Sequence, residues 1–494
     1  MFDPLSGIKY RQHIWKTYGP ISRFCGPLGD QTLLISDPKA LTTILVKDRD
    51  IFEESDWYIE LFRHANGPGL LSSTGALHRK QRKLLNPTFS AQRLRSMVPL
   101  LHELANQLID AFHAKLGDGP QEVEVLDLYG RVALEMIAQT GLGYTFKSFQ
   151  PDAAKNEFKQ AIKEFMPVVA KLQMFLPLFP YISGLPPKLL RFGAACLPSA
   201  DLHYIVKLTD ITSAGMDRLF QAKKESLARE DLEQNDQLCQ GKDIIHALMT
   251  DNANTSEEDK MQDDEIKAQM ITLLAAATDT TSISLSRLSL VLSQHQDVQD
   301  RLRKELSEAV ASSKGELGYD ELLSLPYLDA VCRETWRLYA PVPFVTRTCR
   351  ADTTVPLSRP IPGVTPPEMS FVVPRGTDII VDILGANCDQ NIWGLDADVW
   401  KPERWLSPLP DSVADAHIPG VYSNLMTFLA GSRACIGFKL AELQIKLVLS
   451  QLVRSFRFLP PKTEIIWRLA PVVTPSVNGS TAFTSRLPLV VERV

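Results

Sequence analysis

From about residue 90 to residue 340, apolar residues recur every three or four positions. MVPLLHELANQLIDAFHAKL (97–116) and EVLDLYGRVALEMIAQTGLG (124–143) show the spacing well, and it predicts amphipathic helices packed on one another. The ends of the chain read differently. GPLGDQTLLIS (26–36) predicts a hairpin turned at Gly29-Asp30. Asp37-Pro38 then starts a helix through Lys39–Val46, since Asp caps free amides and Pro fits a first helical turn. Residues 374–384, PRGTDIIVDIL, alternate as a short strand. Strand-like segments thus bracket a long helical middle. There is no internal repeat and no Gly/Ser linker, so the expectation is a mainly α protein with a small β portion, one domain over residues 1–494.

Two stretches break the rhythm. Residues 164–200, EFMPVVAKLQMFLPLFPYISGLPPKLLRFGAACLPSA, are apolar but carry prolines at 167, 177, 180, 186, 187 and 198. Proline removes a helix donor and clashes with the preceding turn, so short helices and turns are expected there. Such a segment suits a lid over an apolar pocket, peripheral contact with a membrane surface, or plain packing. Residues 222–265 hold seven acidic side chains between Asp251 and Glu265, which predicts a solvated loop between two helices.

Composition narrows the class. Hydrophobic residues make up 45% and charged residues 22% of the 494, an ordinary globular balance. A net charge of −5 argues against a nucleic-acid partner. The seven cysteines are scattered and form no C-x-x-C pair, which argues against a disulfide framework or zinc ribbon and for a reducing compartment. Most are expected to be small buried hydrophobes. The sequons at Asn254 and Asn478 are too short to weigh. The N-terminus, MFDPLSGIKYRQHIWKTYGPISRF, has neither the form of a signal peptide nor that of a span, and no run approaches 18 apolar residues.

Chemistry concentrates near FLAGSRACIG, residues 428–437. A ligating thiolate needs positive surroundings and backbone donors. Gly431 allows a turn that a Cβ obstructs, and Gly437 lets a flat partner approach the backbone. Arg433 offers a cationic fork for a carboxylate, and Phe428 can cover the sulfur. The helix after the loop favours a thiolate at its start. These features suit a heme held by Cys435, although by itself the loop also suits a buried inert cysteine. Glu334 and Arg337 stand at i, i+3 on one helix face. KPERW (401–405) lies between them and the cysteine. AAATDTTS (275–282) sets an acid and hydroxyls in an otherwise apolar helix, where Ser and Thr can bond back to i−4 carbonyls and bend it.

Together these stretches resemble the cytochrome P450 family over essentially the whole chain. F-x-x-G-x-R-x-C-x-G falls on Phe428, Gly431, Arg433, Cys435 and Gly437. E-x-x-R falls on Glu334 and Arg337, P-E-R-W on Pro402–Trp405, and the central-helix pattern on Ala276–Thr281. The resemblance implies the P450 fold, with heme b (iron protoporphyrin IX) buried between the central helix and the cysteine loop. Cys435 is then the axial thiolate that ligates the metal. Glu334, Arg337 and Arg404 form a structural network that holds the heme core. Asp279 and Thr280 are the catalytic pair that relays protons during oxygen activation. His78 and Arg82 fall where the family has W-x-x-x-R, and with Arg347 they are propionate-binding candidates, against ordinary surface or ion-pair roles.

The same resemblance implies a heme-thiolate monooxygenase. It would oxidise an apolar small molecule with O2 and electrons from NADPH-cytochrome P450 reductase, with cytochrome b5 as an optional second donor. The tone is that of fungal microsomal-type members active in specialised-metabolite biosynthesis, for example of terpenoids. Competing readings are an isomerase, dehydratase or peroxygenase without reductase turnover, or a heme-binding sensor or carrier. The substrate-facing regions carried over by position are Trp57–Leu71, the 165–200 lid, Leu273–Thr280, Val342–Thr346 and Ser476–Phe483. Arg79, Lys80, Lys83, Lys439 and Lys446 read either as a basic docking patch for the reductase or as a solvated face. Ala277 stands where the family has glycine, which narrows the room for dioxygen. WKTYGPISRF resembles the segment just after the membrane helix of endoplasmic-reticulum members. The expectation is a monomer without an N-terminal anchor, cytoplasmic or on the cytosolic face of the endoplasmic reticulum.

Overall fold

The computed structural model describes residues 3–26, 29, 31–150, 156–172, 174–230, 243–313, 315–361, 363–479 and 485–494. It is 58% helical and 12% strand, so the mainly α expectation holds. The chain divides into two compact units. The first contains Met1–Ser55, Ala105–Tyr129 and Thr280–Val494; the second contains Asp56–Leu104 and Gly130–Asp279.

The first unit holds the sheets. Five strands lie in the order Ile21–Cys25, Gln31–Ile35, Asp378–Asp382, Phe344–Cys349 and Phe52–Glu53. The N-terminal hairpin forms, but its arms are Ile21–Cys25 and Gln31–Ile35, and Asp30 of the expected turn lies outside the described residues. Asp37 accepts from the amides of Lys39 and Ala40 and starts the Pro38–Thr42 helix, which passes into a wide turn over Thr43–Lys47. The strand expected over 374–384 is only Asp378–Asp382, followed by the short helix Ile383–Asn387. Ile379, Ile380 and Val381 are all buried; successive side chains of a strand point to opposite faces, so both faces of this central, doubly paired strand are covered. A smaller sheet joins Gln121–Glu124, Pro488–Arg493 and Phe456–Leu459. The Phe438–Ser455 helix buries Leu440, Leu443, Leu447 and Leu452.

The second unit is helical. Glu157–Leu172 packs on Ala200–Glu230 through Ala161, Val168 and Leu208. Gly215 permits the approach, since a Cβ there would meet the Phe158 ring. Beyond Leu172 the proline-broken stretch is short helices, Leu176–Leu178, Phe179–Ser183 and Pro187–Cys196, as expected. Pro167 instead sits inside a 16-residue helix, on its exposed side, where water can satisfy the carbonyl that proline leaves without a donor. The loop expected over 222–265 is corrected too. Helix runs to Glu230 and resumes at Ile244–Ala253, while 231–242 lie outside the described residues. Cross-links explain the order: Lys223 pairs with Asp243, the cap of that helix, and Lys224 lies 2.8 Å from Asp263. Among the described residues no single helix is long and apolar enough to cross a membrane.

Candidate active site

Cys435 sits one turn before the Phe438–Ser455 helix and is exposed. Its amide donates to the Phe428 carbonyl at 2.9 Å and closes the loop. Phe428 is held by edge-on contacts with Trp336 and Tyr422, at ring separations of 5.6 and 5.4 Å. Gly431 has φ +66°, and a Cβ there would run into the Leu45 carbonyl oxygen, so space and backbone both require glycine. Gly437 has φ −93°, open to any residue, so its glycine meets no backbone demand. The expectation that most cysteines are buried fails: Cys25 and Cys196 are exposed as well, and Cys239 lies outside the described residues. Burial pushes the Cys388 thiol up to about 12 and Cys332 higher still, so neither is a thiolate at neutral pH.

Two arginines from distant segments converge beside the loop. Arg433 Nη2 lies 2.9 Å from Glu54 Oε2, and Arg347 Nη2 lies 3.3 Å from Glu54 Oε1. Arg347 also donates to the Thr346 carbonyl at 2.7 Å. No sequence signal marks Glu54, because nothing local links it to residues 347 or 433.

Glu334 and Arg337 are completely buried. Arg337 donates through Nε and Nη2 to both Glu334 oxygens at 2.9 and 2.8 Å, and through Nη1 to the Ala397 carbonyl at 2.6 Å. Glu334 further accepts from Arg404 Nε (3.4 Å), Trp405 Nε1 (3.0 Å) and the Lys401 amide (3.1 Å). Every oxygen of the buried acid is thereby satisfied, which burial of a charge demands. The network groups the three residues named from sequence and adds Trp405 as a donor.

In the second unit His78 and Arg82 lie one turn apart on the Gly75–Leu85 helix, His78 buried and Arg82 half-buried. The neighbouring cations are partly neutralised. Lys80 pairs with Glu265 at 3.3 Å, whose other oxygen accepts from buried Gln81 at 2.8 Å, and Lys83 reaches Asp259 at 3.4 Å. Lys446 belongs to no surface patch: it is fully buried between Asp329 and Glu442.

A pocket in this unit is lined by Ala65 and Asn66, by Ile162, Phe165 and Met166, by Thr209, Thr212 and Met216, and by Ile271, Leu274, Ala275, Thr278 and Asp279. It joins three of the five regions expected to face substrate. Thr209, Thr212 and Met216 were missed, although their i, i+3, i+7 spacing marks one helix face. Of the other two regions, Val342–Thr346 belongs to the first unit, and 480–483 of the last lie outside the described residues. The central helix, Asp263–Gln294, supplies Asp279. Burial raises its carboxyl to about 6, against the pull of the Lys163 charge. Thr278 bonds back to the Leu274 carbonyl at 2.7 Å, the hydroxyl habit expected of this stretch. Ala276 is exposed and Ala277 and Thr280 half-buried, so small and polar groups stay accessible along an otherwise buried stretch of this helix.

Among the described residues no three His, Cys, Asp or Glu side chains converge as metal ligands. An exposed cysteine at a helix start, on a glycine-turned loop with guanidiniums beside it, fits a flat anionic cofactor that brings most of its own metal ligands. This is the kind of site a heme-thiolate enzyme requires. A family model for cytochrome P450 matches residues 8–483. Cytochrome P450 monooxygenase 91 of Postia placenta is 41% identical over 99% of this chain and 90% of its own, and monooxygenase 219 of that fungus is 42% identical over 95% and 86%. The ganoderic acid synthetase CYP5150L8 of Ganoderma lucidum is 37% identical over 94% and 86%. The chain belongs to the cytochrome P450 family, whose members are heme-thiolate proteins, and is an oxidoreductase of the monooxygenase type.

Proposed function

We propose that the chain binds heme b through Cys435 and inserts one atom of dioxygen into an apolar small molecule of the terpenoid class. The observation that carries the reading is the Cys435 loop, with its sulfur exposed at a helix start and Arg433 beside it. Arg433 and Arg347, with His78 and Arg82, are assigned to the propionates. When bound, the heme supplies the redox centre at which dioxygen is activated, with electron density from the thiolate.

The protein's own groups do the rest. Asp279, with its carboxyl near 6, takes up and releases a proton close to neutral pH, and Thr280 is the hydroxyl through which it is passed on. Phe165, Met166, Ile271 and Leu274 exclude water and hold the substrate by apolar contact, while Asn66, Thr209 and Thr212 give it polar edges to orient against. The kinship with a ganoderic acid synthetase supports an oxidised-terpenoid pathway. Electrons are assigned to NADPH through a separate cytochrome P450 reductase, with cytochrome b5 as a second donor. The large exposed apolar side chains Met174, Phe175, Tyr181, Leu189 and Phe192 support docking of this segment on a membrane surface.

The decisive experiment is the carbon-monoxide difference spectrum of the reduced protein beside Cys435→Ser. A strongly red-shifted Soret band lost in the mutant is expected, and a band typical of histidine ligation rejects the reading. Reductase-dependent NADPH consumption with oxygenated product then separates it from isomerase, dehydratase, peroxygenase and carrier alternatives.

A further inference from the structure

Residues 45–54 brace the cysteine loop at two points. The Leu45 carbonyl walls Gly431, and Glu54 reaches Arg433. Glu54 is placed by the edge strand Phe52–Glu53, whose residues pair with Cys349 and Thr348, so it comes directly after a register that also fixes Arg347. Arg350 donates to the Glu54 carbonyl at 3.0 Å and pins its backbone. Glu54 is buried, with its side chain 9% exposed, and its two oxygens serve the two guanidiniums, one each. Two cations held close in a poorly hydrated place repel one another, and a single acid between them offsets that repulsion while fixing their separation. Each guanidinium carries five N–H donors, so the contact to Glu54 leaves further donors for other acceptors. The cluster retains one net positive charge, the sign that attracts an incoming carboxylate.

We infer that Glu54 is a resident counter-anion of the propionate cradle: it positions Arg347 and Arg433 for the cofactor's carboxylates and stays beside them as a fixed negative charge. It acts through the arginines and is a positioning residue. The inference rests on the heme-thiolate reading above. The charge has two consequences. Removing it loosens the arginines, so heme is lost sooner. It would also take a fixed negative charge from beside the arginines that hold the propionates, which would favour the reduced state of a bound heme and raise its reduction potential.

The test uses the full-length, heme-loaded protein, with Glu54→Gln, Glu54→Asp and the charge-compensated pair Glu54→Gln/Arg433→Gln. Heme transfer to an excess of an apo heme scavenger and the ferric/ferrous potential are read for each. Loss of a buried charge-assisted contact predicts release about tenfold faster in Glu54→Gln, with a potential shifted upward. Glu54→Asp should hold the parent potential while releasing heme faster, because its carboxylate is withdrawn by one methylene. The double variant should return the potential towards the parent value, which a merely structural defect would not do. If Glu54→Gln does not accumulate, the aspartate variant alone decides on its release rate. Parent-like potential in Glu54→Gln, or parent-like release in Glu54→Asp, overturns the inference. Failure of the heme-thiolate reading shows separately, as a parent protein without the red-shifted carbon-monoxide band.

Discussion

Lys446 places its ammonium 2.7 Å from Asp329 Oδ1, fully buried in the helix that comes after the cysteine loop. Glu442 lies on its other side at 2.8 Å, so one cation holds two acids. Burial would lower its proton affinity, yet the two carboxylates outweigh that and hold the ammonium above the ordinary lysine value. Lys446→Met leaves two partly buried acids facing each other. Breaking a buried ion pair costs about 3–5 kcal/mol, so a large fall in the denaturation midpoint is expected. A variant that keeps its stability while losing coupling to a reductase would restore Lys446 to a docking surface.

The Glu334 network grades its own members. Arg337→Ala strands a buried carboxylate and should leave no folded, heme-containing protein. Trp405→Phe removes one donor of several, and losing a hydrogen bond to a charged acceptor costs about 1.5–3 kcal/mol. It should fold and bind heme with a lowered midpoint, measured by thermal unfolding. Equal loss in both variants contradicts this ranking.

Gly431 has no tolerant substitute. Alanine costs about 1–2 kcal/mol in left-handed backbone, and must also displace the Leu45 carbonyl. Heme content per protein should fall sharply in Gly431→Ala, whereas Gly437→Ala, at φ −93°, should lose less of it, because only the room for a flat partner is affected and not the backbone. The pyridine-hemochrome assay checks both.

Asp279 gives a pH dependence with a definite sign. Its carboxyl is raised from 3.8 to about 6, so the folded state holds the proton more tightly than the unfolded chain does. That contribution favours folding below about 3.8 and is lost as pH rises through 6. Ionised Asp279 therefore costs stability at neutral pH, on the order of 2–3 kcal/mol. Asp279→Asn should be more stable than the parent at pH 7.5, and the advantage should shrink towards pH 4.5. A gain independent of pH contradicts the assignment. Turnover supported by reductase should fall in the same variant.

The exposed apolar segment predicts lipid binding. Phe175→Ser with Phe192→Ser removes two large side chains that are 66% and 69% exposed. Each buried aromatic contributes about 1.5–3 kcal/mol, so co-sedimentation with neutral phospholipid vesicles should drop at least tenfold. Unchanged binding would assign this face to packing or to a protein partner.

Features that lie within a turn or two of chain were legible in the sequence alone. Glu334 and Arg337 are one helical turn apart, Asp37 caps its own helix, and Gly431 stands four residues before Cys435, so spacing and residue type sufficed. The prolines after Leu172 likewise dictated short helices, because their effect is on the local backbone. Which distant groups meet was settled in three dimensions. Glu54 joins Arg433 across about three quarters of the chain, Lys446 turns inward to Asp329, and Thr209, Thr212 and Met216 face Asp279 in one pocket. A charged or polar residue reads the same in sequence whether it faces water or a buried partner. Only the packing of one element against another sets its surroundings, and with them its charge state and its role.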